Sequence, residues 1–313
     1  MKKIIIEISA LVFFVMAIFM LLEFLFRDYK NAVDKVMDDF FLDRDSAKVL
    51  MVGNSHTLPF YKALKHEAGS GVACLSIGGD DLFWMQALVK KQLKSMPAVQ
   101  YVILNCDDEL LGFNQSLSGL NYMNRMLYPY TDEMYGNKQM DILLSKSNFF
   151  RSNRDFGYLF SKQSNADMMI ANAGGKGTFT DEECKSRAKE ISEKRFQTKL
   201  FSENISYILS IIDEVKKGKK KLFILKLPKC DCLASSVNIE NLGNSRKLLD
   251  SVFTATHTEM LDFSGDSTFK RNAFANPDHL TPQAARMLME KINDRIFASE
   301  GVRPIHLVQK QVD

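Results

Sequence analysis

The sequence predicts an α/β protein: a single doubly wound, flavodoxin-like domain on a five-stranded parallel sheet, carried by an N-terminal transmembrane helix. Three observations point there. Five short apolar runs alternate with amphipathic stretches of helix length, the pattern of strands buried on both faces. An almost unbroken apolar segment opens the chain. A long aromatic-rich stretch after the third apolar run interrupts the alternation and reads as a helical insertion.

Residues 1–26 are expected to form the anchor. Ile4–Ile6 and Ile8–Phe26 are apolar, broken only by Glu7 and Glu23 near the two ends. A helix over this run would span roughly 34 Å, close to the hydrocarbon thickness, with both carboxylates able to reach the interfaces. A cleaved signal peptide after Lys2 and Lys3 is the competing reading, but no small-x-small cleavage site follows, which favours an uncleaved anchor. Lys2 and Lys3 are offset by Arg27, Lys30 and Lys35 on the other flank. The short amino-terminal tail then favours an extracytoplasmic domain on a single-pass protein of the cell membrane.

Residues 27–46 are charged and helical in pattern, and read as a stalk. The domain proper runs over 47–297. Strand one is Val49–Val52, followed by a helix over 57–66 that tolerates Pro59 in its first turn. Strand two is Gly71–Ile77, ending at Gly78-Gly79, and a helix over Leu82–Met96 leads to strand three, Tyr101–Leu104. A helix over 194–217 precedes strand four, Leu222–Leu225, and a helix over 239–257 precedes strand five, Met260–Phe263. Thr281 can cap the last helix and Pro282 suits its first position, with Ala285, Leu288, Met289, Ile292 and Ile296 along one face. Residues 298–313 are a tail.

Residues 109–193 are too many for a simple crossover. They hold Tyr122, Tyr128, Tyr130, Tyr135, Phe149, Phe150, Phe156, Tyr158 and Phe160. These suit a small helical subdomain with its own core, or a lid and carbohydrate platform. The loop Ala173–Thr178 has no strand feeding it and no serine or threonine after a Gly-Lys pair, so it is not a phosphate cradle.

Composition is ordinary for a globular chain, with 46% apolar and 25% charged residues. A net charge of +3 gives no reason to expect nucleic acid. The one basic run, Lys216–Lys221, closes a helix, where lysines complement the dipole and Gly218 can cap. Five cysteines are not a disulfide framework. Cys74 and Cys106 fall in strands as buried thiols, and Cys230 and Cys232 read as two free thiols rather than a bridge or a metal fragment. No metal site and no cofactor are expected.

One constellation specifies a chemistry. Gly53-Asn54-Ser55-His56 leaves strand one, and Asn276-Pro277-Asp278-His279-Leu280-Thr281-Pro282 precedes the last helix. Ligands on open parallel sheets bind beyond the carboxyl ends of the strands, where Ser55 would sit. A hydroxyl needs a base to become a nucleophile, and imidazole titrates in the right range. Of five histidines only His279 lies in a loop returning to this edge, whereas His56 is expected to point away from the serine. A serine at a helix start is also an ordinary N-cap, so the argument needs the whole set.

In the order of these blocks the chain resembles the SGNH, or GDSL-like, hydrolase superfamily over residues 47–297, apart from the insertion. The membrane helix, the Gly-Asn-Ser-His turn and the Asp-His-Leu loop look most like its extracytoplasmic branch tied to polysaccharide O-acetylation and teichoic acid D-alanylation. The resemblance implies Ser55 as nucleophile, His279 as base, and Ser55 and Gly79 backbone N–H groups in the oxyanion hole, with Asn105 as a side-chain donor. Two departures stand out. Asn276 occupies the position that should hold the orienting aspartate, leaving Asn276 or Asp278 to orient His279. The block after strand three reads Asn105-Cys106-Asp107-Asp108.

The expected function is a membrane-anchored serine acyl esterase or O-acyltransferase acting on a cell-surface glycan through an acyl-enzyme on Ser55. Its partners would be the membrane, an acylated or acceptor glycan and a membrane-bound acyl donor protein. The alternative is a catalytically weak SGNH-like binding or scaffold protein of an acylation or export complex. A cytoplasmic nucleotide binder is the third reading, which no G-x-G-x-x-G or Walker pattern supports.

Overall fold

The computed structural model describes residues 1–64, 71–114, 122–136, 139–152 and 178–297. The glycine loop over 173–177, the aromatics Phe156, Tyr158 and Phe160, and the tail over 298–313 lie outside the described residues.

The first helix, α1 (Lys2–Leu25), exposes nearly its whole apolar surface and is long enough to cross a bilayer. It is followed by α2 (Ala32–Asp43), which corrects the expected stalk. Asn31 and Asp34 close a capping box at its start, and Val33, Val36, Met37 and Phe40 are buried in the main core. The helix packs against the edge strand of the sheet.

The sheet has strand order β2-β1-β3-β4-β5 and is parallel throughout. Its strands are β1 (Val49–Gly53), β2 (Val72–Ser76), β3 (Tyr101–Asn105), β4 (Lys221–Lys226) and β5 (Glu259–Asp262). The first three are buried at every position, as a sheet covered on both faces requires. The crossovers pack α3 (Leu58–Leu64) with α12 (Pro282–Phe297). They pack α4 (Leu82–Gln92), which holds the fully buried Trp84, with α9 (Phe201–Lys217). The helix expected from 194 starts at Phe201, after a π-helical turn over Glu190–Lys194 and a short 3₁₀ turn. At its end Gly218 stays right-handed and Lys219 takes the left-handed conformation, φ 54°.

The insertion contributes α5 (Tyr122–Thr131), α6 (Gln139–Leu144), α7 (Asn148–Arg151) and α8 (Asp181–Lys189). After β4 come α10 (Asp231–Ala234) and α11 (Ile239–Ala255), and after β5 a two-stranded hairpin, β6 (Phe274–Asn276) and β7 (His279–Leu280). Helix α8 packs against α10, and this contact overturns the expectation of two free thiols. Cys184 and Cys232, 48 residues apart, are bridged, with Cα atoms 5.8 Å apart. Cys230 stays a thiol, its sulfur 3.1 Å from that of Cys232, and Cys74 and Cys106 are buried thiols as expected.

Candidate active site

The site is assembled at the carboxyl edge of the sheet. Gly53 ends β1 where a Cβ would come 2.5 Å from Thr57 Oγ1 and 2.9 Å from Asn105 Cβ, so a side chain there would collide with the next turn or with β3. The chain then folds into a 3₁₀ turn over Ser55–Thr57. Asn54 fixes it, its side-chain oxygen accepting the N–H of His56 at 2.9 Å and its carbonyl accepting Thr57 Oγ1 at 2.8 Å. Ser55 is left half-buried at the head of this turn. The Ile77 N–H donates to Gly53 O at 3.1 Å, tying the loop after β2 to the serine turn. In that loop Gly79 has φ +84°, a conformation that suits glycine.

His279 enters on β7, which packs against the Ser55 turn. Asn276 shapes the hairpin, its Oδ1 accepting the backbone N–H groups of Asp278 at 3.2 Å and His279 at 3.0 Å. His279 Nδ1 lies 2.9 Å from Asn276 Oδ1 and 2.9 Å from Asp278 Oδ1. Both oxygens are acceptors, so this nitrogen carries a proton, and in the neutral ring the lone pair is then on Nε2. Asn276 and Asp278 therefore act together where the sequence left a choice between them.

Asp278 is itself held from two sides. Its Oδ2 accepts Arg187 Nε at 2.7 Å and Nη2 at 2.5 Å, and lies 3.3 Å from His56 Nε2. Burial would raise its pKa, but His279, His56 and the hydrogen bonds they make hold it well below the ordinary carboxylate range. The other ring nitrogen of His56, Nδ1, lies 3.0 Å from Asp107 Oδ2. With a carboxylate on each nitrogen His56 is an imidazolium. Burial disfavours that charge, but the two hydrogen-bonded aspartates outweigh it and push the pKa up to about 10. Asp107 also accepts the Leu227 N–H at 3.0 Å, and neighbouring Glu109 pairs with Lys229 at 2.6 Å. The His56 and His279 rings meet edge to face, 5.0 Å between centroids.

Asn105 is buried at the end of β3, its Nδ2 donating to Asp107 Oδ2 at 3.1 Å and Leu225 O at 3.2 Å. Both amide hydrogens are thus engaged, and donating to a substrate would mean breaking one of these bonds. Asp80, beside Gly79, is buried with neither carboxyl oxygen hydrogen-bonded among the described residues; burial, then Asp81, pushes its pKa well up. Among the described residues two groups could gather round a cation, His56 with Asp278 and His279, and His56 with Asp107 and Glu109. The Arg187 guanidinium, the Lys229 ammonium and the imidazolium itself already supply positive charge there.

The structure thus brings Asn276, Asp278 and His279 together beside the turn that carries Ser55. Three participants were not anticipated: His56, Asp107 and Arg187. The doubled aspartate after Asn105 was the available signal for one of them. Arg187 had none, since it comes from the insertion, 91 residues before its partner.

No known family and no curated protein matches the chain by sequence. Among solved structures it is similar to a candidate acylhydrolase from Bacteroides fragilis, at 11% identity and a TM-score of 0.40, over 87% of this chain and 99% of that one. It is also similar to a GDSL-like lipase from Bacteroides thetaiotaomicron, at 8% identity and a TM-score of 0.41, over 86% of this chain and 98% of that one. Likenesses this distant carry no functional argument.

Proposed function

We propose that this chain is a membrane-anchored serine acyl esterase or O-acyltransferase of SGNH type, working on a cell-surface glycan. One observation carries the reading: His279 has its Nδ1 proton held by two acceptors, on a hairpin packed against the turn of a half-buried serine. Ser55 Oγ attacks the acyl carbonyl, and His279 Nε2 takes the hydroxyl proton. The developing oxyanion is met by the backbone N–H groups of Ser55 and Gly79. Collapse expels the alcohol, which takes the proton back from His279, and leaves the acyl group on Ser55. Water or a sugar hydroxyl then attacks the acyl-enzyme by the same route reversed. Asp278 stabilises the imidazolium formed in each half, the part an aspartate plays in other serine triads. Hydrolysis and transfer differ in whether the edge admits water or positions a hydroxyl.

Two features support the placement outside the cell membrane. Helix α1 has the length and composition of a single span. The Cys184–Cys232 bridge suits an oxidising compartment. The glycan and a membrane-bound acyl donor rest on the family resemblance alone. The test is release from an acetyl ester by the full chain in nanodiscs: Ser55→Ala should lower turnover by roughly 10³-fold or more, and unchanged turnover would refute the acyl-enzyme.

The committed amide of Asn105, together with Asn276 at the triad position, favours a second reading, a catalytically weak binding or scaffold protein of an acylation complex. A folded chain that resists fluorophosphonate labelling at Ser55 yet binds glycan would establish it.

A further inference from the structure

The insertion is fastened to the anchor by a contact that no expectation anticipated. Glu23, near the carboxyl end of α1, accepts from Ser147 Oγ, from the Asn148 N–H at 3.1 Å and from the Phe149 N–H at 3.3 Å. Aromatic packing follows the same path: Phe149 lies edge-on to Phe26 at 5.5 Å, and Phe150 reaches Phe19 at 6.1 Å. Helix α7 is held to the domain as well, through Arg151 on Asp34, which also accepts Tyr130 OH at 2.6 Å.

Depth follows from arithmetic. Six residues separate Phe19 from Leu25, the last residue of α1, or about 9 Å of helix. If α1 spans the bilayer, Phe19 lies within the hydrocarbon, and a ring packed on it sits at or below the headgroups. The Glu23 carboxylate would be costly there without partners. Its partners come from the N-terminal end of α7, so α7 cannot leave the interface without stranding that charge. Just before α7, helix α6 exposes Met140 (64%) and Leu143 (62%), spaced i, i+3 on one face. Exposed Lys146 lies between the two helices, where a cation can meet a lipid phosphate.

We propose that the α6–α7 segment of the insertion is an in-plane membrane element. Phe150 sits at the acyl boundary beside α1, and Met140 and Leu143 dip into the lipid interface. The proposal rests on the reading of α1 as a span. The occupant is the bilayer itself, because α7 packs directly on the helix read as crossing it. The consequence is that the α6–α7 segment fixes the domain to the membrane surface at a second point beside α1.

The test uses the full chain in nanodiscs whose lipids carry bromine near the headgroup or near the chain ends. The native Trp84, fully buried in the domain core, gives an unquenched background. Tryptophan replaces Met140, Leu143 or Phe150 singly, with Phe13→Trp reporting the middle of α1. The added tryptophans at 140, 143 and 150 should lose emission mainly to the shallow bromines, and that at 13 mainly to the deep ones. Quenching at 13 with none at 140, 143 and 150 overturns the proposal and leaves the anchor standing. Quenching at none of the four overturns both. Using three reporters keeps the test decisive if one variant misfolds.

Discussion

Two histidines 5.0 Å apart at one sheet edge meet opposite electrostatic fates. His56, on the turn after β1, has a carboxylate on each ring nitrogen and is buried. His279, on the hairpin before α12, has acceptors on Nδ1 only. The first is held in its charged form by its two aspartates; the second, among the described residues, meets acceptors at one ring nitrogen alone and is the base of the proposed mechanism. Asp278 belongs to both, accepting the His279 Nδ1 proton through Oδ1 and facing His56 and Arg187 through Oδ2. The comparison teaches that, in the proposed mechanism, what surrounds each imidazole decides which of the two can serve as base. Closeness in sequence to the serine does not select it.

Replacing the base should break the comparison most visibly. His279→Gln should cost roughly 10⁴ in ester turnover while leaving the fold intact, measured by initial rates and circular dichroism. If His56→Gln gave the same catalytic loss at unchanged stability, the roles would be reversed. Instead His56→Gln should act on stability, by about 1–3 kcal/mol in urea unfolding, because it removes the cation shared by the buried Asp107 and Asp278, which keep only their other partners. The pH dependence gives its sign. A histidine pKa raised to about 10 in the fold contributes stability that is complete below its unfolded value near 6.5 and fades as pH climbs through about 10. Wild type should therefore lose thermal stability over that window, and His56→Gln should lose less.

Arg187→Met sharpens the picture from the insertion side. It frees Asp278 Oδ2 and should lower kcat by roughly ten- to a hundred-fold with little change in KM, with Arg187→Lys partly restoring it. An effect on KM alone would make Arg187 a substrate contact. The smallest effect is expected from Asn276→Asp. With Asp278 already on His279 Nδ1, a second carboxylate adds mostly like-charge repulsion, and turnover should change by about threefold or less. A gain of tenfold or more would show that Asp278 does not orient the base.

Much of this edge could be read along the chain. The strands betray themselves because burial on both faces leaves runs such as Val49–Val52 with no polar residue to confuse the period. The positions of Ser55 and His279 at this edge follow from where such strands end and the last helix begins. The place of α2 was legible too, but its aspartates drew attention away from Val33, Val36, Met37 and Phe40, which recur at helical spacing and are all buried. The partners of His56 were harder, because a charge network between turns has no period and both carboxylates lie 51 residues or more from the histidine. Arg187 and the Cys184–Cys232 link depend on how the insertion returns to the domain, which local propensity does not encode.

That link bears on how the protein is prepared for study. Cys184 lies one helical turn before Arg187, and its partner sits two residues from a third sulfur within reach. Material recovered from a reducing cytosol lacks the crosslink. Careless oxidation afterwards can pair Cys230 with Cys232 instead, since thiolates exchange with neighbouring disulfides. Counting free thiols and mapping the crosslinked peptide in each batch therefore comes before any comparison of rates between laboratories.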